Sequence, residues 1–141
     1  MTSENKDWIA LELAAPGRPL IVRETAGVTL PGVNGLFMAL PGHAALLSLL
    51  EVGVVEAHLA DGKTERFFVN QGYAEVLNDK VVILSQDIAP GEEIDPQRAE
   101  EAKQRAEERL KQHGNVDVAR AEYALRRALA RLQAHRAGAA L

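Results

Sequence analysis

The pattern of hydrophobic and polar positions changes character near residue 94. Before Ile94, short apolar segments are interrupted every few residues by glycine or proline, whereas no proline follows Pro96. After Pro96, apolar residues recur at intervals of three and four, the spacing of one face of an α-helix. The sequence therefore predicts an α+β chain in which short strands come first and helices follow.

Alternation in the first part predicts strands with one buried face. From Gly53 to Leu59, apolar side chains alternate with the polar side chains of Glu56 and His58, which is the period of a half-buried strand. Turn signals separate such segments at Pro16-Gly17, Pro31-Gly32, Asn34-Gly35, Asp61-Gly62 and Asn78-Asp79. Short strands between closely spaced turns predict an antiparallel β-sandwich or barrel over residues 8–89.

Several apolar side chains of this part are expected in its core. They are Leu46, Leu47, Leu49, Leu50, Phe67, Phe68 and Tyr73. For one or two of the leucines, an additional place at an interface stays open. The four leucines form either a strand or one helical turn, because a short apolar run does not distinguish the two. Ala89-Pro90-Gly91 is expected to be the exit linker, so that residues 1–91 form a β domain and residues 92–141 a helical domain.

A helix start signal lies at residues 94–99. Asp95 is an N-cap whose carboxylate can accept the free N–H groups of a first turn, and Pro96 suits the first helical position. Ile94 and Ala99 fall at the two positions of a hydrophobic staple. This first helix is predicted to end near Gln112. Its apolar stripe is Ala99, Ala102, Ala106 and Leu110.

A second helix is predicted after a break at His113-Gly114-Asn115, with Asp117 as its N-cap. Its apolar stripe is Val118, Ala121, Leu125, Ala128, Leu132 and His135. So short a connection makes the two helices an antiparallel hairpin. Because alanine buries little area, this hairpin should be held only weakly, to itself and to the β domain. A weakly held element is a candidate switch.

Charge is distributed unevenly between the two parts. Residues 1–93 carry six Lys+Arg against thirteen Asp+Glu, and residues 94–141 carry ten against seven, so net charges of −7 and +3 make up the overall −4. A basic helical part joined to an acidic β part can fold back onto it or reach for an acidic surface elsewhere.

The sequence contains no catalytic or metal-binding constellation. It has no Gly-x-x-x-x-Gly-Lys-Ser/Thr phosphate loop, no Gly-x-Ser-x-Gly elbow and no pair of histidines at helical spacing. With no cysteine, thiolate metal sites are excluded, and the few aromatic residues do not form a nucleic-acid platform. No apolar run is long enough to span a bilayer, and the polar N-terminus is not a signal peptide. We therefore expect neither an autonomous enzyme nor a nucleic-acid partner.

The order and spacing of several segments resemble the epsilon subunit family of F-type rotary ATP synthases over about residues 8–135. The segments are Pro41-Gly42-His43-Ala44, Leu46-Leu47, Gln71-Gly72-Tyr73-Ala74-Glu75-Val76, Val81 to Leu84, Ile94-Asp95-x-x-Arg98-Ala99 and Ala102-Lys103-x-Arg105-Ala106-Glu107. The resemblance implies a β-sandwich of about ten strands, followed by a mobile two-helix hairpin.

The same resemblance implies a function and a set of partners. The sandwich is expected to dock on the gamma subunit and the rotor c-ring, so that rotation is coupled to ATP synthesis. The hairpin is expected to inhibit ATP hydrolysis when it extends towards the alpha/beta catalytic hexamer. Such a non-catalytic, central-stalk subunit lies peripherally on the cytoplasmic face of the bacterial plasma membrane and reaches the membrane only through the complex.

The resemblance also marks a nucleotide-binding set in which ATP is a regulatory ligand and no cofactor is required. Its members are Ile94, Asp95, Arg98, Ala99, Arg105, Arg127 and Arg131. The cap and the staple explain this signature without any ligand, except for Arg98. In an antiparallel hairpin Arg98 lies opposite Arg131, and such a cluster of guanidinium groups suits phosphate. Glu101 is a local partner for Arg105, four residues away.

Two further groups are predicted to meet other subunits. By spacing, Leu36 occupies a position that is acidic in many members of the family. A leucine at this position suggests an apolar contact with the rotor ring in place of a polar one. The turn Pro41-Gly42-His43 is expected on the gamma-facing side. The arginines of the second helix are expected to meet an acidic segment of the catalytic subunits. They are Arg120, Arg126, Arg127, Arg131 and Arg136. The alternative is a solvated basic face with an ordinary Glu122–Arg126 pair, and the resemblance favours the contact with a partner.

Two other readings remain open at the level of sequence. One is a free-standing β domain whose helical hairpin tethers an acidic partner. The other is a soluble nucleotide sensor that is independent of any rotor.

Overall fold

A computed structural model describes residues 7–112, 114 and 117–136 of the chain. Ten strands precede two helices. The order was predicted from the sequence pattern, and the number of strands was implied by the family resemblance. The strands are β1 (Ile9–Ala14), β2 (Ile21–Thr25), β3 (Gly27–Gly32), β4 (Gly35–Ala39), β5 (Leu46–Leu50), β6 (Gly53–His58), β7 (Thr64–Val69), β8 (Gly72–Leu77), β9 (Lys80–Leu84) and β10 (Ile88–Pro90). A 3-10 turn (Gly91–Glu93) leads to the helices α1 (Pro96–Lys111) and α2 (Val118–His135).

The strands form one continuous path of hydrogen bonds that bends around a single core. The strand order is β10-β7-β6-β3-β5-β8-β9-β1-β2, and β4 pairs with β3. All pairings are antiparallel except that of β1 with β9, which is parallel. Side chains from all ten strands meet in one cluster, so the sheet encloses its core as a sandwich. Its largest fully buried members include Ile9, Leu11, Leu13, Leu30, Phe67 and Ile83.

The tight turns follow the predicted signals. Asn78 and Asp79 both have positive φ, 51° and 58°, as a two-residue hairpin between β8 and β9 requires. Gly62, with φ of 89°, lies in the turn between β6 and β7. Asp79 has a second role, because its Oδ1 accepts the backbone N–H of Gly42 at 2.7 Å. The side chain of one hairpin turn thereby holds the loop that follows β4.

The prediction that the four leucines and Tyr73 are core residues is wrong for most of them. The leucine segment is strand β5, and only Leu50 is buried. Leu47 and Leu49 are 72% and 58% exposed, and Tyr73 is 49% exposed. A continuous apolar run conceals which face of a strand turns inward, and only the pairing of β5 with β8 decided it. Phe67 and Phe68 are fully buried, as predicted.

The segment expected to be an exit linker is partly a strand. Ala89 and Pro90 belong to β10, which pairs with β7 and terminates the hydrogen-bonded path. Proline has no N–H to donate, so it is tolerated at such an edge. The helical part consequently begins at the sheet itself, after the 3-10 turn.

Both helix start signals are confirmed in detail. Asp95 Oδ1 accepts the backbone N–H groups of Gln97 and Arg98 at 3.0 and 3.3 Å, and Asp117 Oδ1 accepts that of Arg120 at 3.0 Å. The helices pack along their predicted alanine stripes, where the buried residues are Ala99, Ala106, Ala121, Ala128 and Leu132. The second stripe is shorter than predicted, since its ends, Val118 and His135, are exposed. His113 and Asn115 of the predicted break lie outside the described residues.

Candidate functional site

Helix α2 lies on the sandwich through a second face that the sequence stripe did not include. Ala130 and Ala134 are buried against Val52, Val54 and Phe68. Ile94 joins the same cluster, and Tyr123 and Ala89 pack at its border. A weak signal was present, because Tyr123, Ala130 and Ala134 recur at spacings of seven and four. Two buried alanines make only a small apolar contact for a helix of 18 residues. We call the surface of the sandwich and of the 3-10 turn against which α2 packs its seat.

The seat depends on close backbone approach at Gly91. A Cβ atom placed on Gly91 would lie 2.3 Å from the carbonyl oxygen of Ala134 and 3.1 Å from its carbonyl carbon. Only glycine therefore lets the last turn of α2 come this close to the 3-10 turn. His135 Nδ1 lies 3.3 Å from the carbonyl oxygen of Gly91, so the end of the helix is attached to the same residue.

Among the described residues, one hydrogen bond and two ion pairs join side chains of α2 to side chains of the sandwich, and Arg131 also lies over the Phe68 ring. Tyr123 Oη donates to Asn70 Oδ1 at 2.8 Å. Arg126 Nη2 lies 2.8 Å from Glu51 Oε2, and Arg131 Nη2 lies 3.1 Å from Asp87 Oδ2. Both ion pairs are partly exposed, and such pairs contribute about 0–1 kcal/mol each. The basic helix thus folds back onto the acidic β part through weak contacts.

Two local pairs considered from the sequence, one of them only in the alternative reading of the basic face, are replaced by other contacts. Arg126 pairs with Glu51 of the sandwich rather than with Glu122. Glu101 accepts a hydrogen bond of 3.4 Å from Gln97 Nε2 rather than pairing with Arg105. The first replacement has a physical reason in the fold, because docking brings a sandwich carboxylate closer to Arg126 than its helical neighbour.

A cavity of about 480 Å³ lies between the hinge, α1 and α2. We call it the arginine pocket. Its lining residues are Ala89, Glu93, Ile94, Asp95, Arg98, Ala99, Ala102, Arg105 and Arg131. The structure therefore brings together six of the seven residues of the predicted nucleotide-binding set. Arg127 lies elsewhere, with its guanidinium carbon 4.7 Å from the centre of the Tyr123 ring.

The charges of the arginine pocket leave two guanidinium groups without an anion. Glu93 is paired with Arg18 at 2.6 Å, and Asp95 is engaged as the N-cap of α1. Within the described part of the chain, neither Arg98 nor Arg105 is in an ion pair. Arg131 is the third arginine of the pocket and is already paired with Asp87. Guanidinium forks arranged in this way suit a phosphate-bearing anion.

The residues predicted to meet other subunits lie at the surface. Leu36, at the start of β4, is 73% exposed. His43 lies in the following turn, where its backbone N–H donates to Leu40 at 3.0 Å and Nδ1 lies 2.7 Å from the carbonyl oxygen of Ala44. Arg120 is exposed on the first turn of α2.

An exposed apolar row on the sandwich was missed by the sequence reasoning. Leu49 of β5 is paired with Tyr73 of β8, and Tyr73 is paired with Leu84 of β9, so the three side chains lie side by side. Each is about half exposed, between 47% and 58%. A usable sequence signal was Glu75, because residues two apart lie on the same face of a strand and a charged residue marks the exposed face. We call these residues and Leu47 the apolar row.

The described residues contain no group of His, Asp or Glu that could hold a metal ion. None of their helices has both the length and the apolar content needed to cross a membrane.

Two family models match successive parts of the chain. The model for the β-sandwich domain of the ATP synthase delta/epsilon chain matches residues 9–91, and that for its long α-helix domain matches residues 92–136. The chain belongs to the ATP synthase delta/epsilon family. The resemblance predicted from the sequence is thereby confirmed.

Curated members of the delta/epsilon family are similar over most of their length. An ATP synthase epsilon chain from Desulfitobacterium hafniense strain Y51 is 44% identical over 108 residues, which cover 77% of this chain and 81% of that protein. The epsilon chain of Thermodesulfovibrio yellowstonii is 40% identical over 116 residues, which cover 81% of each protein.

Solved structures of rotary ATP synthases contain the same fold. A chain in the Euglena gracilis mitochondrial ATP synthase, in an OSCP/F1/c-ring structure, superposes with a TM-score of 0.78 at 23% identity, covering 90% of this chain and 81% of that one. A chain in the Tetrahymena thermophila mitochondrial ATP synthase, in a central stalk and c-ring structure, gives a TM-score of 0.51 at 13% identity, covering 94% and 96%. At these sequence identities, the likeness to the two solved structures concerns the fold alone.

Proposed function

We propose that this chain is a non-catalytic epsilon subunit in the central stalk of a bacterial F-type ATP synthase, and that its hairpin regulates ATP hydrolysis. The observation that carries the regulatory part is the docking of α2, in which the buried apolar contact comes from two alanines and the polar contacts are mostly partly exposed. An element held in this way can leave its seat at a small cost in free energy. In the cell, the subunit lies peripherally on the cytoplasmic face of the plasma membrane.

The sandwich supplies the surfaces that bind the rest of the stalk. Burying the apolar row against a partner would remove apolar surface from water, which is favourable. Exposed apolar patches of this kind mark protein interfaces. We assign the gamma subunit to the apolar row and to the Pro41-Gly42-His43 turn. Leu36 is proposed to make an apolar contact with the rotor c-ring.

The hairpin would inhibit hydrolysis by reaching the alpha/beta hexamer. Arg126 is paired with Glu51 while α2 is docked, so it becomes available to an acidic segment of a catalytic subunit only after the helix has left the sandwich. Arg120 is exposed in the docked state. Release thus exchanges one carboxylate partner of Arg126 for another, which keeps the difference in free energy between the two states small.

ATP is the proposed ligand of the arginine pocket. Ile94, Asp95 and Ala99 form its hinge side, while Arg98, Arg105 and Arg131 offer their charges to the phosphates. Because Arg98 and Arg131 come from different helices, the pocket exists only while the hairpin is folded. A ligand that binds one state alone stabilises that state, so ATP would favour the docked, non-inhibitory hairpin.

Deleting residues 94–141 tests the regulatory role. The complex assembled with the truncated chain should retain gamma on co-purification and hydrolyse ATP faster than the complex with the full chain, because the inhibitory element is gone. Equal hydrolysis rates in the two assembled complexes would refute inhibition by the hairpin. Failure to retrieve gamma with either chain would instead refute the central-stalk assignment.

Calorimetry on the full-length chain tests ATP binding separately. Arg98→Gln should weaken ATP binding, since it removes an unpaired charge of the pocket. Arg109→Gln is the matched control, because Arg109 is exposed on the same helix and does not line the pocket. Absence of heat with millimolar ATP, or an equal effect of both substitutions, would refute the nucleotide site.

A further inference from the structure

We propose that Asp87 is an internal competitor of the phosphate ligand for Arg131, and that it sets the affinity of the arginine pocket. The inference rests on the proposed nucleotide site and adds a residue to its regulation. Asp87 lies outside both the signature segment and the pocket lining, so nothing in the pattern of residues 94–141 points to it.

Arg131 belongs to two sites at once. It lines the arginine pocket, and its Nη2 atom lies 3.1 Å from Asp87 Oδ2. The pocket has three arginines, and Asp87 therefore neutralises about one third of the charge that would receive a phosphate. An incoming triphosphate must share Arg131 with the Asp87 carboxylate or displace that carboxylate. The negative charge of Asp87 also repels the triphosphate at short range.

The position of Arg131 does not depend on Asp87. Its guanidinium carbon lies 4.3 Å from the centre of the Phe68 ring, and that ring is fully buried. A cation over a rigid aromatic face is held there by the ring as well as by any anion. With the carboxylate removed, Arg131 should remain at the pocket and turn its charge to a ligand.

The fold around Asp87 does not depend on its side chain either. The backbone carbonyl of Asp87 accepts the N–H of Asn70 at 3.0 Å and the hydroxyl of Ser85 at 3.1 Å. Its side chain is about half exposed, with 51% of its surface accessible. Asp87→Asn keeps the size of the side chain and leaves both backbone contacts in place, so it changes charge with little change in structure.

Glu51 provides a matched comparison. It forms the other ion pair between α2 and the sandwich, with Arg126, and neither residue lines the arginine pocket. Glu51→Gln therefore removes the same kind of docking contact without changing the charge at the pocket. Any loss of affinity that comes from weaker docking appears in both variants, whereas a gain from unmasking Arg131 appears in Asp87→Asn alone.

Calorimetric titration of the full-length chain with ATP tests the inference. Asp87→Asn should bind ATP about three- to tenfold more tightly than wild type, as expected for removing one partly screened charge from a site for a multiply charged anion. The gain should decrease from ATP to ADP to AMP as the ligand charge falls. Glu51→Gln should bind ATP no more tightly than wild type, and Asp87→Glu should stay close to wild type.

The outcomes separate this inference from the proposed site. If wild type binds ATP and Asp87→Asn binds it no more tightly than Glu51→Gln does, Asp87 is not a competitor, although the nucleotide site stands. If Glu51→Gln gains as much as Asp87→Asn, the effect is one of general charge and the inference fails. If no variant binds ATP, both the site and the inference fail. Asp87→Ser, a second neutral variant, should repeat the gain if Asp87→Asn is disturbed in folding.

Discussion

Adding a single methyl group at Gly91 should displace the hairpin from the sandwich. In Gly91→Ala the new Cβ would lie 2.3 Å from the carbonyl oxygen of Ala134. The backbone of Gly91 is outside the left-handed region, so alanine can adopt the local conformation without strain. The effect therefore comes mainly from the collision with α2. Both colliding atoms of Ala134 belong to the main chain, so no side-chain rotation can relieve it.

The size of the effect follows from this geometry. Non-bonded heavy atoms are most stable at about 3.5–4.0 Å, so the last turn of α2 must move by roughly 1 Å or more to accept the methyl group. Overpacking of this kind typically costs about 1–3 kcal/mol. The ratio of docked to released hairpin should then fall by a factor of roughly 5 to 150. A seat with two buried alanines has little other binding free energy with which to resist the shift.

Amide hydrogen exchange of the full-length chain measures this equilibrium. In Gly91→Ala, peptides from Ala128 to Ala134 should exchange faster by about the factor given above, because exchange reports local opening. Peptides from the core strands β1 and β9 should be unchanged. The methyl group also lies 3.3 Å from the carbonyl oxygen of Arg66 on the sandwich, a contact that requires only a small adjustment.

Two results would refute the reasoning. One is unchanged exchange in α2, which would mean that Gly91 does not control docking. The other is faster exchange in the helix and the core strands together, which would indicate damage to the sandwich. Ala134→Gly supplies a further control. Because the methyl group meets the main-chain carbonyl of Ala134, the second substitution should not restore docking in the double variant.

Two further predictions concern single hydrogen-bonding groups. Tyr123→Phe removes the hydroxyl that donates to Asn70 at 2.8 Å and should weaken docking of α2 by about 0.5–1.5 kcal/mol. The expected result is faster amide exchange in α2 alone. An unchanged rate would show that water replaces the hydroxyl without loss of docking free energy. Asp95→Ala removes the acceptor of two N–H groups at the start of α1 and should destabilise that helix by about 0.5–2 kcal/mol. This loss should be measured as faster amide exchange at residues 97–100. Equal exchange in the variant and the wild type would contradict the capping role.

The features that could be predicted from sequence are those set by near neighbours. Asp95 and Asp117 cap helices because their carboxylates reach N–H groups two or three residues away. Asn78 and Asp79 make a turn through their own backbone preference. The alanine stripes follow from the helical repeat, which also placed Arg98 opposite Arg131. The family resemblance rests on the same ordered segments.

Contacts across long chain distances depended on the tertiary structure. Arg131 meets Asp87, 44 residues away, and Arg126 meets Glu51, 75 residues away. The sequence indicated only that a basic helix could return to an acidic domain. Which carboxylates it meets depends on where β6 and β10 begin and on how closely α2 approaches Gly91.

The two faces of β5 show the same division. Leu46 to Leu50 is apolar at four of five positions, so its composition predicts burial on both sides. Pairing with β3 and β8 turns Leu50 inward and leaves Leu47 and Leu49 outside. Local chemistry specified where strands, turns and helix caps form, because those choices involve atoms a few residues apart. The folded sheet specified which side chains face solvent, partner or pocket, because that depends on segments that meet only after the chain has folded.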